Sequence, residues 1–195
     1  VEQELTRLVG GFSDVDSAAT FVAQTSITGT GGYGKFSITA AGVWTYAMNT
    51  AHNEFVAGTN YVDTLTVKTT DGTSQVLTVT MTGTNDAAVI AGTSTATLTE
   101  SNVVQSTGGT LTITDVDSTA AFVAQTGVIG SNGYGIFNVT AAGAWTYAMT
   151  TAHDEFASGK AYIDSLTVTS VDGTTKLVTV TINGSDDAAY IGGTS

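Results

Sequence analysis

Apolar and polar residues alternate along most of this chain with a period of two, which predicts β-strands whose successive side chains point to opposite faces. The pattern is clear over residues 110–114, 135–140 and 144–149, where Trp145, Tyr147 and Met149 fall on one face. It returns over residues 166–168 and 178–182. About seven short strands with glycine-rich turns and no proline predict an all-β sandwich.

The alternation stops between residues 150 and 162. Residues 151–156 predict one short helical turn, with Thr150 or Thr151 as N-cap and Gly159 at its end. The Asp-Gly pairs at 71–72 and 172–173 predict tight hairpin turns.

The chain repeats itself with an offset of 101 residues. Asp14 returns as Asp115 and Trp44 returns as Trp145, and the Phe-Val-Ala-Gln-Thr run at 21–25 returns at 122–126. A period near 100 residues fits one immunoglobulin-sized domain. We therefore predict two tandem Ig-like or cadherin-like β-sandwich domains, at residues 1–86 and 87–195. The first is N-terminally incomplete, because residues 1–11 do not match 95–109.

Composition and charge narrow the function. The net charge of −12, with 17 acids against 5 scattered bases, argues against nucleic acid as a partner. There is no cysteine for a disulfide or a thiolate site, and no apolar run approaches the roughly 20 residues of a membrane span. The excess of acids has two explanations, solubility through repulsion or neutralisation by divalent cations.

Strand directions favour cations, because they gather acids at the two ends of the second domain. The N-terminal end would receive Asn85, Asp86, Asp115, Asp117 and Asp172 from segments far apart in sequence. Oxygen ligands of this kind are what Ca²⁺ takes, usually six to eight in number. A single Asp-x-Asp motif at a strand end can also be turn chemistry alone.

The C-terminal end of the second domain would receive Glu100, Asp164, Asp186 and Asp187 by the same reasoning. In the first domain we predict Asp14, Asp16, Asp63 and Asp71 as the corresponding calcium ligands. Asp154 aligns with Asn53, so we interpret it as a solvated acid rather than a ligand.

Six segments together resemble the VCBS repeat of large bacterial surface proteins. They are residues 109–118, 133–135, 143–147, 164–168, 172–173 and 83–87, the last reading Gly-Thr-Asn-Asp-Ala. The resemblance covers nearly the whole chain, twice. The usual linker of these repeats is Asn-Asp-Ala-Pro, whereas Ala88 and Ala189 replace that proline here.

The resemblance implies a non-enzymatic extender in an RTX-type adhesin, a secreted protein of the bacterial cell surface that is exported by type I secretion and acts in adhesion and biofilm formation. It implies Ca²⁺ at the junctions and neighbouring repeats of the same polypeptide as partners. We expect a monomeric fragment of a longer protein with no membrane insertion. Without the proline, junction rigidity should depend more on the cation.

The sequence gives weaker evidence for catalysis and for carbohydrate binding. His52 and His153 stand apart from any nucleophile motif, so we expect packed or surface histidines rather than catalytic ones. The rival function is a carbohydrate-binding module that stacks surface glycans on Trp44, Tyr46 and Tyr33 or their copies. Trp44 and Tyr46 share a face with period two, which is typical of core residues.

Overall fold

The structure is a computed structural model that describes residues 19–188, residue 15 and the backbone of the strand at residues 5–8. The chain divides into two compact units, Val1–Asn85 and Asp86–Ser195, where the sequence predicts a boundary between residues 86 and 87. The described residues are all β and contain no helix. None of them forms a helix that is long and apolar enough to cross a membrane.

Unit 1 contains six of the strands. They are β1 (Leu5–Leu8), β2 (Gln24–Thr28), β3 (Gly34–Ile38), β4 (Val43–Met48), β5 (Asn60–Lys68) and β6 (Ser74–Thr82). One antiparallel sheet has the order β1-β4-β3-β2, and β5 and β6 form an antiparallel hairpin.

The described part of unit 2 contains eight strands. They are β7 (Val89–Gly92), β8 (Thr95–Thr99), β9 (Ser106–Thr114), β10 (Gln125–Ile129), β11 (Gly135–Val139), β12 (Ala144–Met149), β13 (Ala161–Thr169) and β14 (Thr175–Asn183). The larger sheet has the order β10-β11-β12-β9-β7, and the smaller has the order β13-β14-β8. Strand β8 runs parallel to β14, whereas the other pairings between the described strands are antiparallel.

The alternating apolar residues form the cores. In unit 2, Phe137, Trp145 and Tyr147 of the larger sheet are buried in one cluster with Val180 and Ile182 of the smaller sheet. Unit 1 has a corresponding cluster built from the same positions of its own repeat. Each fully buried Val, Leu, Ile or Phe side chain stabilises a unit by roughly 1.5–3 kcal/mol relative to exposure. The prediction that the alternating apolar residues face the core is therefore confirmed.

The predicted helical turn is not confirmed. Residues 153–156 form a β-turn instead, closed by a hydrogen bond of 2.9 Å from the Phe156 N–H to the His153 carbonyl. His153 has a φ of 60°, and His52 at the same place in unit 1 has a φ of 52°. A left-handed residue breaks the run of right-handed φ values that a helix requires. Both predicted Asp-Gly hairpins are present, with Gly72 and Gly173 at positive φ.

Candidate metal centre

The C-terminal end of unit 2 brings three acids together, which we name the Glu100 cluster: Glu100, Asp154 and Asp187. One carboxylate oxygen from each lies within 4.8 Å of the other two. Glu100 follows β8, and its N–H donates to the Asn183 carbonyl at 2.8 Å, which continues the parallel pairing with β14. That pairing places its side chain beside the segment leading from β14 to Asp187.

Glu100 is the centre of this cluster because its carboxylate is inside the protein. The residue is 1% exposed. Its Oε2 accepts hydrogen bonds from the Ser185 N–H at 2.9 Å and the Ser185 hydroxyl at 3.1 Å. Its Oε1 is buried and has no hydrogen-bond partner. A buried carboxylate oxygen without a partner is costly, so a bound cation would stabilise this atom.

The electrostatics of the Glu100 cluster are those of crowded anions. Burial raises the pKa of Asp187 above its usual value, and the nearby charges of Glu100, Asp154 and Asp186 raise it further. In the part of the chain that the structure describes, no Lys or Arg forms an ion pair with these acids. A divalent cation would remove the repulsion that this arrangement creates.

Asp154 is the member that the sequence interpretation left out. It is exposed and sits in the β-turn at residues 153–156. The direction of that turn depends on the left-handed backbone of His153. A helical turn would aim the side chain differently, and the alignment with Asn53 gave no hint of a ligand.

The N-terminal end of unit 2 joins four of the predicted residues through hydrogen bonds. The Asp86 N–H donates to Asp117 Oδ2 at 3.3 Å, and the Ala88 N–H donates to Asp172 Oδ2 at 2.9 Å. Asp115 accepts from the Asp117 N–H at 3.1 Å and from the Ser118 hydroxyl at 2.8 Å. These acids therefore fasten the first residues of unit 2 to the ends of β9 and β13.

Asp117 and Asp172 differ in how many hydrogen bonds their carboxylate oxygens accept. Asp117 is 7% exposed, and its Oδ1 is buried without a hydrogen-bond partner. Asp172 accepts from the Ser170 hydroxyl, the Ala88 N–H and the Thr174 hydroxyl, and these bonds, in that order, hold its pKa well below the usual range. The Ser118 hydroxyl likewise lowers the pKa of Asp115. Compared with Asp172, Asp117 therefore keeps one buried carboxylate oxygen that could bind a cation.

Asp164 and Asp63 lie in a different environment from the one the sequence suggested. Asp164 is 0% exposed and accepts from the Asn132 N–H at 2.8 Å, the Gly135 N–H at 3.0 Å and the Tyr147 hydroxyl at 3.1 Å. Asp63 repeats these contacts in unit 1 with Gly31, Gly34 and Tyr46. The structure does not place Asp164 in the Glu100 cluster, and these bonds explain both acids without a metal.

The remaining predicted ligands are placed as follows. Asp186 is exposed beside Asp187. Asp71 accepts from Thr69 and Thr73 within the β5–β6 hairpin. Asn85 is the last residue of unit 1. Asp14 and Asp16 lie outside the described residues.

The aromatic residues considered for glycan stacking are inside the units. Trp44 and Tyr46 are 6% and 1% exposed, as predicted for core residues. The ring of Tyr33 is partly buried and packs edge-on against His52, Phe55 and Tyr61. The Trp44 and Tyr46 rings are therefore core residues, and the Tyr33 ring is held by its aromatic neighbours.

Comparisons with known proteins identify a family for this chain. A family model for the bacterial cadherin-like domain matches residues 85–184. The crystal structure of Drosophila N-cadherin EC1-3 is similar at 18% identity and a TM-score of 0.35, covering 89% of this chain and 57% of its own. The human desmocollin-1 ectodomain is similar at 11% identity and a TM-score of 0.31, covering 87% of this chain and 34% of its own. No curated protein sequence matches the chain.

Proposed function

Because this chain belongs to the family of bacterial cadherin-like domains, we propose that it is a calcium-binding extender of a secreted adhesin at the bacterial surface. Its role would be mechanical and non-enzymatic, in cell adhesion and biofilm formation. RTX-type organisation and type I secretion are part of the same proposal. The single observation that supports it best is the buried, unpartnered Oε1 of Glu100 beside two further acids.

The donor set of the Glu100 cluster fits calcium better than a transition metal. All three side chains offer carboxylate oxygens, which hard cations prefer. The neighbouring His153 has its Nδ1 2.7 Å from Glu155 and its Nε2 2.9 Å from the Tyr134 carbonyl, so its ring is already engaged. Glu100, Asp154 and Asp187 would hold the ion, with carbonyls and water completing the usual six to eight oxygens.

The N-terminal end of unit 2 would form a second site around Asp117. Its free Oδ1 is buried beside the segment that begins unit 2, whose Asp86 N–H donates to Oδ2 of the same carboxylate. Calcium bound by Asp117, with Asp86 and Asp115, would hold that segment to the end of β9. Ala88 stands where proline would restrict φ, so the ion would supply stiffness that the backbone lacks.

The experiment that tests this proposal combines melting curves with small-angle scattering on the whole chain, in chelator and in calcium. At a calcium concentration of 100 times Kd, binding should stabilise unit 2 by about 2.7 kcal/mol, which is a rise in Tm of about 10 °C for a unit of this size. The scattering should show a narrower range of maximum dimensions. The proposal fails if neither quantity changes up to millimolar calcium.

Two variants separate binding from a general effect of charge. Glu100→Gln should abolish the part of the calcium-dependent rise in Tm that the Glu100 cluster contributes, because it neutralises the buried ligand, and should leave the part that the Asp117 site contributes. Glu155→Gln is the matched control, since it removes one acid from the same β-turn but from outside the cluster. An equal loss of the calcium effect in both variants would point to screening of charge rather than to a site.

A further inference from the structure

His52 lies in a turn of unit 1, and both nitrogens of its ring face hydrogen-bond acceptors. The side chain is 9% exposed. Nδ1 lies 2.7 Å from Glu54 Oε1. Nε2 lies 3.0 Å from the Tyr33 carbonyl oxygen and 2.6 Å from Asn49 Oδ1. The Asn49 amide nitrogen donates to the Gly32 carbonyl at 2.9 Å, so the amide oxygen is the atom that faces the ring.

These contacts favour the doubly protonated ring. A carbonyl and an ionised carboxylate only accept hydrogen bonds, so each ring nitrogen needs a proton, and a neutral imidazole carries one proton for the two nitrogens. Burial lowers the pKa of His52, but the hydrogen bonds with Glu54 and the Tyr33 carbonyl outweigh it, and the pKa is raised above its usual value. The same bond lowers the pKa of Glu54. His52 and Glu54 therefore form an ion pair.

The His52 ring also ends an aromatic stack. It lies nearly parallel to Phe55 with ring centroids 4.7 Å apart, and Phe55 stacks in turn on Tyr61 at 3.7 Å. Tyr33 meets the His52 ring edge-on at 5.6 Å. The titratable groups around His52 are therefore the Glu54 carboxylate and the phenols of Tyr33 and Tyr61. Of these, Glu54 supplies the charge that the ring proton balances.

The turn itself depends on the side chain of His52. The Phe55 N–H closes it by donating to the His52 carbonyl at 3.0 Å. His52 has a φ of 52°, a left-handed conformation that costs energy in a residue with a Cβ. Such a conformation persists only where surrounding contacts hold it. The bonds of the His52 ring are contacts of this kind.

The segment that follows this turn holds the end of β6. Ala57 pairs with Gly83 in a parallel bridge. The Gly58 N–H donates to the Gly83 carbonyl at 3.0 Å, and the Gly83 N–H donates to the Thr59 carbonyl at 2.9 Å. Gly83 lies two residues before Asn85, the last residue of unit 1. The turn at His52 is therefore connected by five residues of chain to the backbone bonds that fix the final residues of this unit.

We propose that His52 is a proton-dependent clamp on the last residues of unit 1. The imidazolium, bonded to Glu54 and to the Tyr33 carbonyl, keeps residues 52–59 closed on Gly83. Loss of the ring proton leaves a nitrogen lone pair facing an acceptor, so the left-handed turn loses one of its supports and residues 57–59 separate from Gly83 more often.

The direction of the pH dependence follows from the raised pKa of His52. The stabilisation is fully present below about pH 6.5, the usual value for histidine in an unfolded chain. It is lost as pH rises through the folded pKa. The clamp is therefore closed in mild acid and loosens in alkali.

An NMR titration of the full chain in chelator tests the protonation. Below the midpoint, the nitrogen chemical shifts of the His52 ring should show that both nitrogens carry protons. The midpoint should lie above the roughly 6.5 of an unperturbed histidine. Glu54→Gln should move the midpoint down towards that value, because the amide removes the carboxylate charge. Asp71→Asn is the matched control, since it removes one acid of the same unit from the β5–β6 hairpin and should leave the midpoint in place.

Amide hydrogen exchange in the same samples tests the clamp. Protection of the Gly58 and Gly83 amides, corrected for the intrinsic pH dependence of exchange, should fall by about twofold or more as pH rises through the His52 midpoint. The Gly42 amide donates to the Thr39 carbonyl at 3.0 Å in the turn after β3 and is the internal control. In Glu54→Gln the fall in protection should move to lower pH together with the midpoint.

Each outcome decides the matter. A raised midpoint with a loss of protection that follows it supports the clamp. A midpoint at or below about 6.5, or a ring that keeps a single proton throughout, overturns it. Constant protection at Gly58 and Gly83 also overturns it, because the ion pair then holds nothing closed. An equal loss at Gly42 overturns it too, since unit 1 then loosens as a whole. The chelator makes the result independent of whether calcium binds at the Glu100 cluster.

Discussion

The hydrogen bonds of Asp164 lead to the sharpest prediction about this fold. Asp164→Ala would leave the Gly135 N–H and the Tyr147 hydroxyl without their acceptor in a buried place, and would remove the acceptor of the Asn132 N–H, whose bond is partly buried. Each unsatisfied buried group costs about 1–3 kcal/mol, and with partial relaxation we expect a loss of about 4 kcal/mol from unit 2. For a unit of about 100 residues this lowers Tm by about 15 °C.

The assay uses the two tryptophans of the chain, one in each unit. In a Trp44→Phe background, fluorescence of Trp145 reports the unfolding of unit 2 alone. Asp63→Ala, followed through Trp44 in a Trp145→Phe background, is the matched variant in unit 1, because its carboxylate makes the same contacts. Each variant should lose the same stability in chelator as it does in calcium.

One result would refute this reasoning. If Asp164→Ala leaves the stability in chelator unchanged and instead lowers the affinity for calcium, then the carboxylate is a ligand and its hydrogen bonds contribute little. The milder Asp164→Asn change keeps one acceptor oxygen. It should therefore cost less than Asp164→Ala, because the Tyr147 hydroxyl can turn to accept from the new amide.

Three further predictions concern single side chains of unit 2. Gly130→Ala should destabilise it in urea unfolding by about 2 kcal/mol, because a Cβ there meets the Asp164 carboxylate; unchanged stability would refute the steric reason. Asp187→Asn should raise Tm in chelator at neutral pH and lower it in calcium. Because the pKa of Asp187 is raised in the folded state, the charged form of this residue opposes folding. The gain in Tm from Asp187→Asn should therefore vanish as pH falls towards 3.8. A gain in Tm that stays constant with pH in calorimetry would contradict this. Asp172→Asn should lower Tm at neutral pH, and because the folded pKa is depressed the loss should shrink as pH falls below 3.8; a loss that persists in acid would indicate a packing defect.

The strands could be predicted from the sequence because the alternation of apolar and polar residues indicates which face of each strand is buried. The burial of Phe137, Trp145 and Val180 follows from their spacing alone. The turn at residues 153–156 could not, because its shape depends on a positive φ at His153, which is uncommon for any residue other than glycine. That conformation also decides where Asp154 points, so the helical turn and the omission of Asp154 share one cause.

The roles of the acids were harder to predict from the sequence. The direction of a strand shows at which end of the sheet a residue lies, and it does not show on which face the side chain lies. Asp164 begins the inward alternation of β13, with Leu166 and Val168 following on the same side. Its place at period two from buried residues was a signal that it enters the core. A carboxylate there needs backbone donors, and the glycine-rich turn at residues 130–135 supplies them.

Unmet hydrogen-bonding capacity separates the two kinds of acid in this chain. Asp63 and Asp164 are fully buried, yet every oxygen has a donor, so a cation would have to displace bonds that hold the fold. Glu100 and Asp117 are also buried, yet each keeps one oxygen without a partner. Proteins rarely leave such an atom unpaired, and a cation bound at each end of unit 2, as we propose, would engage both oxygens. Titration with calcium should therefore perturb the Glu100 and Asp117 carboxylate signals in NMR and leave that of Asp164 in place. If Asp164 shifts with them, unmet hydrogen bonding does not distinguish ligands from structural acids.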